Sequence, residues 1–275
     1  MADSMTSTPP RAPAPPAVGA SGRSRGLYGR DLRALSLVTA ALITLTLLGV
    51  FFWAPNDAYL GFLQKIFYVH VPLAIVTLCG FIAGGVMAIA HLRTRDPRWD
   101  MRSYVAIHIS LVFGVAVLIT GSIWAKAAWG HWWVWDEPTL VSFLLIILLY
   151  ATYQPMRFAI EDPERQARAA SVFAITAGVF VPINFAIVRL STAYVHPRTL
   201  DNLSGNLPGR MQVVFWLALA SVALLLITLW RYEMASKHAT AQLRRLRRLL
   251  AGDESEAPPR RSAAPSVTTS PGGVG

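Results

Sequence analysis

The chain has 275 residues, 54% of them hydrophobic and 15% charged, with 25 Lys and Arg against 15 Asp and Glu. Soluble domains carry about 25% charged residues, so this composition argues against an ordinary soluble enzyme. The lone cysteine, Cys79, lies in an apolar run and excludes a disulfide framework or a cysteine-cluster metal site within the chain.

Residues 1–33 are rich in Pro, Ala, Ser and Arg and are predicted to be disordered, since they cannot bury enough apolar surface to offset chain entropy. Six apolar stretches follow, at 34–54, 68–91, 104–124, 139–156, 170–190 and 211–231, none with Asp, Glu or Lys inside. Each approaches the roughly 20 residues that span a hydrocarbon layer about 30 Å thick. Backbone polar groups in lipid must bond within their own segment, so all six are predicted helices. The first is too long for a cleaved leader, and Phe51-Phe52-Trp53 stands where small residues would be needed. In the second, Gly80 and Gly84 form a GxxxG spacing that suits close helix packing. His91 and His108 fall toward the inner ends of their stretches and read as residues without a ligand role, His108 as one bonded to a neighbouring helix.

Residues 232–250 prolong the last stretch as a basic amphipathic helix carrying Arg244, Arg245, Arg247 and Arg248, suited to anionic lipid headgroups rather than nucleic acid. Residues 251–275, with four prolines, are predicted to be disordered. If the N-terminus is cytoplasmic, 20 Lys and Arg lie inside and only Lys65, Lys126, Arg189, Arg198 and Arg210 outside. The expected fold is therefore an all-α membrane protein of six transmembrane helices with both termini cytoplasmic. The positive charge reports topology.

This topology places segments 55–67, 125–138 and 191–210 outside. Five of the nine tryptophans, Trp124, Trp129, Trp132, Trp133 and Trp135, fall within twelve residues and are followed by Asp136. An interfacial belt explains one or two per helix end; five suggest an aromatic platform for a large, flat, apolar ligand. His70 opens the second stretch and His196 follows the fifth, both at the depth of that platform, with His131 inside the tryptophan run. Neutral imidazole is the commonest metal ligand, and haem iron accepts axial His. Zinc fits less well, since a closed site wants four ligands and these loops offer three His and few carboxylates.

The run Trp129-Gly130-His131-Trp132-Trp133-Val134-Trp135-Asp136 resembles the tryptophan-rich signature of the haem-handling proteins of cytochrome c maturation, and Lys65–Pro72 and Tyr194–Pro197 resemble the two histidine motifs of the heme exporter protein C family. The resemblance covers roughly residues 34–231. It implies that His70 and His196 are axial ligands to a non-covalently held b-type haem. It implies equally that Trp129, Trp132, Trp133, Trp135 and Asp136 form the haem platform. It further implies a bacterial plasma-membrane protein that delivers haem on the extracytoplasmic side to a membrane-anchored haem chaperone, beside an ABC-type transporter complex. Members often carry Arg two residues after the Asp; Pro138 stands there in this chain, so Arg198 or Arg210 would have to supply its contacts. The role is one of holding and transfer, not a reaction. Two other readings are a haem-b electron-transfer subunit, whose ligands usually sit within facing helices, and a small-solute transporter, whose sites usually hold polar groups near mid-membrane.

Overall fold

The computed structural model describes residues 29–192, 194–196, 207 and 209–250. Its helices are α1 (Arg30–Leu48), α2 (Phe67–Thr94), α3 (Pro97–Trp129), α4 (Pro138–Ala151), α5 (Tyr153–Phe158), α6 (Pro163–Leu190) and α7 (Gly209–Leu250). A π-helical turn at Gly49–Trp53 prolongs α1, a 3-10 turn at Phe62–Ile66 leads into α2, and α5 follows α4 almost directly. The described residues include no strand, only a bridge between Asp57 and Gly61. These elements make six rods long and apolar enough to cross a membrane. Each covers one of the six predicted stretches, and the chain is a multi-pass membrane protein. With six crossings, both ends of the described chain lie on one face.

The rods outrun the predicted stretches because their polar flanks stay helical. The first begins at Arg30 and the third reaches Trp129. Residues 1–28 and 251–275, most of the two segments predicted to be disordered, lie outside the described residues. The basic segment 232–250 is the unbroken continuation of α7.

An acidic residue followed by proline starts three of the helices. The side chain of Asp96 accepts from the Arg98 N–H at 2.9 Å, with Pro97 opening α3. Asp162 accepts from the Arg165 N–H at 2.7 Å, with Pro163 opening α6. Glu137 and Pro138 repeat the device at α4. The carboxylate satisfies an orphan N–H and complements the helix dipole, while proline at the first position sacrifices no bond.

The centre of the bundle is α2, packed chiefly against α3 and α6. Small residues permit this. A Cβ on Gly84 would lie 2.6 Å from Ile107 Cγ1, and one on Gly85 would lie 3.0 Å from the Ala174 carbonyl oxygen. The GxxxG spacing thus marks the α2–α3 contact. Phe81 of α2 stacks on Tyr150 of α4, with ring centroids 3.7 Å apart. Helix α1 leans mainly on α7 through hydroxyl pairs, Ser36–Tyr232 at 2.8 Å, Thr39–Thr228 at 2.7 Å and Thr46–Ser221 at 2.6 Å. At the other end from the tryptophan run, Arg157 of α5 makes a buried two-pronged bridge to Asp100 of α3, at 2.7 and 2.6 Å.

Candidate functional site

A cavity of about 970 Å³ opens among the ends of α2, α3, α4 and α6 nearest the tryptophan run and the 55–61 loop. That is the upper end of the range for small-molecule sites, about 300–1,000 Å³. Its walls are largely apolar, and His70, Trp124, Trp129, Trp133, Arg189 and His196 all reach it.

His70 sits in the first turn of α2, where its ring rests against α3. Its Nδ1 lies 3.0 Å from Thr120 Oγ1. The Thr120 hydroxyl spends its proton on the Ala116 carbonyl, at 2.8 Å, which leaves its oxygen to accept from Nδ1–H. The Nε2 lone pair is thereby left for a ligand, the usual division of labour in a metal-binding imidazole. Gly121 makes room: a Cβ there would stand 2.8 Å from His70 Cε1.

Helix α3 runs five residues past its predicted end and stops at Gly130, whose φ of 80° ends a helix without steric cost. Trp129 is therefore helical. Its ring meets His196 edge-on at a centroid distance of 6.3 Å and Trp124 at 5.1 Å. Trp133 packs edge-on against Trp135 at 6.0 Å. Of the residues singled out by sequence, His70, His196, Trp124, Trp129 and Trp133 come together at the cavity. Trp132 and Trp135 are 60% and 71% exposed and, with the exposed Asp136, stand outside its lining. His131 is exposed. Arg210 is exposed at the start of α7, and Arg198 lies outside the described residues.

His91 and His108 are engaged elsewhere, the latter with a neighbouring helix as predicted. His91 Nδ1 lies 2.7 Å from Ser171 Oγ, and His108 Nδ1 accepts from the Gln154 amide at 2.6 Å. No cluster of three or more His, Cys, Asp and Glu side chains suited to a bare metal ion occurs among the described residues.

Sequence reasoning missed Glu137, which is fully buried at 0% exposure. Its Oε2 accepts from three successive backbone N–H groups, those of Tyr194 and Val195 at 2.9 Å and of His196 at 3.2 Å. Oε1 caps α4 through the Thr139 N–H at 3.5 Å. Burial pushes this carboxyl up, but the four N–H donors outweigh it and hold the group below its ordinary range. Val117 and Gly121 of α3, which line the cavity on the same face as Trp124, were missed as well and are legible only as an i, i+4, i+7 stripe with it.

The family model described as Heme exporter protein C matches residues 17–249. The chain belongs to that family. A heme exporter protein C of Bradyrhizobium diazoefficiens is 30% identical over 226 residues, covering 80% of this chain and 84% of that one. That of Paracoccus denitrificans is 30% identical over 195 residues, covering 69% and 79%, and that of Escherichia coli 31% over 149 residues, covering 54% and 60%. The family shown is the one that the tryptophan run and the two histidine motifs resemble. In this member of the heme exporter protein C family, the quoted motifs supply seven of the residues at the cavity, His70, His196, Trp129 and Trp133 among them, and Thr120 and Glu137 support them from behind.

Proposed function

We propose that this chain holds haem as cargo at the outer end of its helix bundle, for cytochrome c maturation. His70 and His196 are the axial ligands of the iron. Trp129 and Trp133 form the inner wall of the aromatic platform, with Trp132, Trp135 and Asp136 as its rim. The observation that carries this reading is the convergence of both histidines and two of the motif tryptophans on one apolar cavity, in a chain of the heme exporter protein C family. Thr120 adds to it by freeing Nε2 of His70. Two neutral imidazoles bind iron firmly yet exchange, as cargo requires; the haem brings its own chemistry, and the protein supplies position and ligands.

The family's bacterial relatives favour a plasma-membrane location, and the Lys and Arg distribution favours the cavity on the extracytoplasmic side. There the exposed tryptophan rim faces a membrane-anchored haem chaperone, with an ABC-type transporter complex as the working partner. Detergent-purified protein is expected to show a low-spin, bis-His haem absorption spectrum. His70→Ala and His196→Ala each lose that spectrum and most of the bound haem, whereas His108→Ala retains both. Unchanged haem content in the two outer variants would overturn the ligand assignment.

A further inference from the structure

We infer that Glu137 is a positioning residue, which latches the Tyr194–His196 segment to the start of α4 and so fixes where His196 stands before any ligand arrives. The inference rests on the reading of His196 as an axial ligand.

Comparison with the two sister caps separates this role from ordinary capping. Asp96 and Asp162 occupy the same place ahead of a proline, and they cap with bonds of 2.9 and 2.7 Å while keeping contact with solvent. Glu137 is one methylene longer, and its capping bond is stretched to 3.5 Å. As a cap it is the weakest of the three. Its carboxylate is nevertheless the fully buried one, and its other oxygen reaches a segment more than fifty residues away. Three consecutive N–H groups converging on one oxygen make the concave nest that backbones use to bind anions. Here the anion comes from the same chain. Bonds from N–H to a charged acceptor are roughly twice as strong as neutral ones.

Glu137 also closes the tryptophan run, its own N–H pairing with the Val134 carbonyl at 3.4 Å. One residue therefore ties together the aromatic run, the first turn of α4 and the second histidine segment. A segment held in place before binding loses less freedom when it binds, so the latch keeps His196 facing Trp129 in the empty cavity.

The test uses the full-length protein in detergent, unaltered and as Glu137→Gln and Glu137→Ala. Glu137→Gln keeps the shape and an acceptor oxygen but removes the charge. In the haem-free state, amide hydrogen exchange at 194–196 is expected to rise about tenfold in Glu137→Gln and further in Glu137→Ala, with α2 and α3 unchanged. In the haem-loaded state, transfer of haem to an excess of a haem-scavenging globin is expected to quicken about tenfold. A high-spin, singly ligated fraction should appear, and added imidazole should restore its low-spin spectrum. Unchanged exchange in Glu137→Gln overturns the latch, and this arm stands even if Glu137→Ala fails to fold. Raised exchange with unchanged haem transfer overturns its role in placing His196. Absence of a bis-His spectrum in the unaltered protein instead sinks the ligand reading, while the exchange arm still judges the latch.

Discussion

A hydroxyl and a missing side chain decide how His70 presents itself. Thr120→Val preserves the β-branched shape in α3 but removes the acceptor for Nδ1–H, so the imidazole is free to turn or change tautomer. We expect haem affinity to fall about 10- to 100-fold with little change in thermal stability, as measured by absorption titration and by a melting curve on the same sample. Gly121→Ala acts on the same ring sterically, since its Cβ would press against Cε1. It is expected to displace His70 and lower haem content at least as much as Thr120→Val. At this scale the sequence exposed the residues with distinctive chemistry, two histidines and a cluster of indoles. It concealed those whose part is defined by a distant partner. Thr120 is fifty residues from His70, and Glu137 more than fifty from the segment it holds. Nothing local marks either, although Glu-Pro ahead of an apolar run does signal a helix start.

At the scale of helices, lengths and starts follow from local rules, and contacts follow from small residues and a few polar pairs. Hydropathy alone located all six rods, because each must satisfy its own backbone in lipid. Their ends were less legible. Sequence reading stopped the third at 124, where the tryptophans begin, whereas α3 continues until Gly130 supplies a left-handed residue. The bridge between α5 and α3 has a testable consequence. Arg157→Met leaves the Asp100 carboxylate buried and unpaired, and is expected to cost about 3–5 kcal/mol. The double change Arg157→Met with Asp100→Asn should recover a large part of that loss. Calorimetric or fluorescence melting of the three proteins checks it; equal melting temperatures for the single and double variants would show that the pair is not coupled.

For the whole molecule, the Lys and Arg count makes a prediction about sidedness. In a Cys79→Ser background, a cysteine at Trp132 is expected to react with an impermeant thiol reagent from outside the cell, and one at His238 only after the membrane is opened. Reaction at 238 from outside, with 132 reacting only after the membrane is opened, would reverse the topology and with it the proposed role, and reaction of both from one side would contradict the six crossings. The element count and the common face of the two ends were legible in the chain because they depend only on length and hydropathy. The way α2 sits at the centre, with α1 displaced to the flank of α7, was not, since lipid-facing and protein-facing surfaces of these helices are equally apolar.

Between Met211, at the cavity wall, and Leu250, α7 contains neither glycine nor proline. Its 42 residues span about 63 Å at 1.5 Å each, twice the hydrocarbon thickness. Such a beam has no joint at which to bend. A sideways push on its basic end would be carried through the bilayer as a tilt, so whatever grips the arginine-bearing tip also holds the handle of the far chamber.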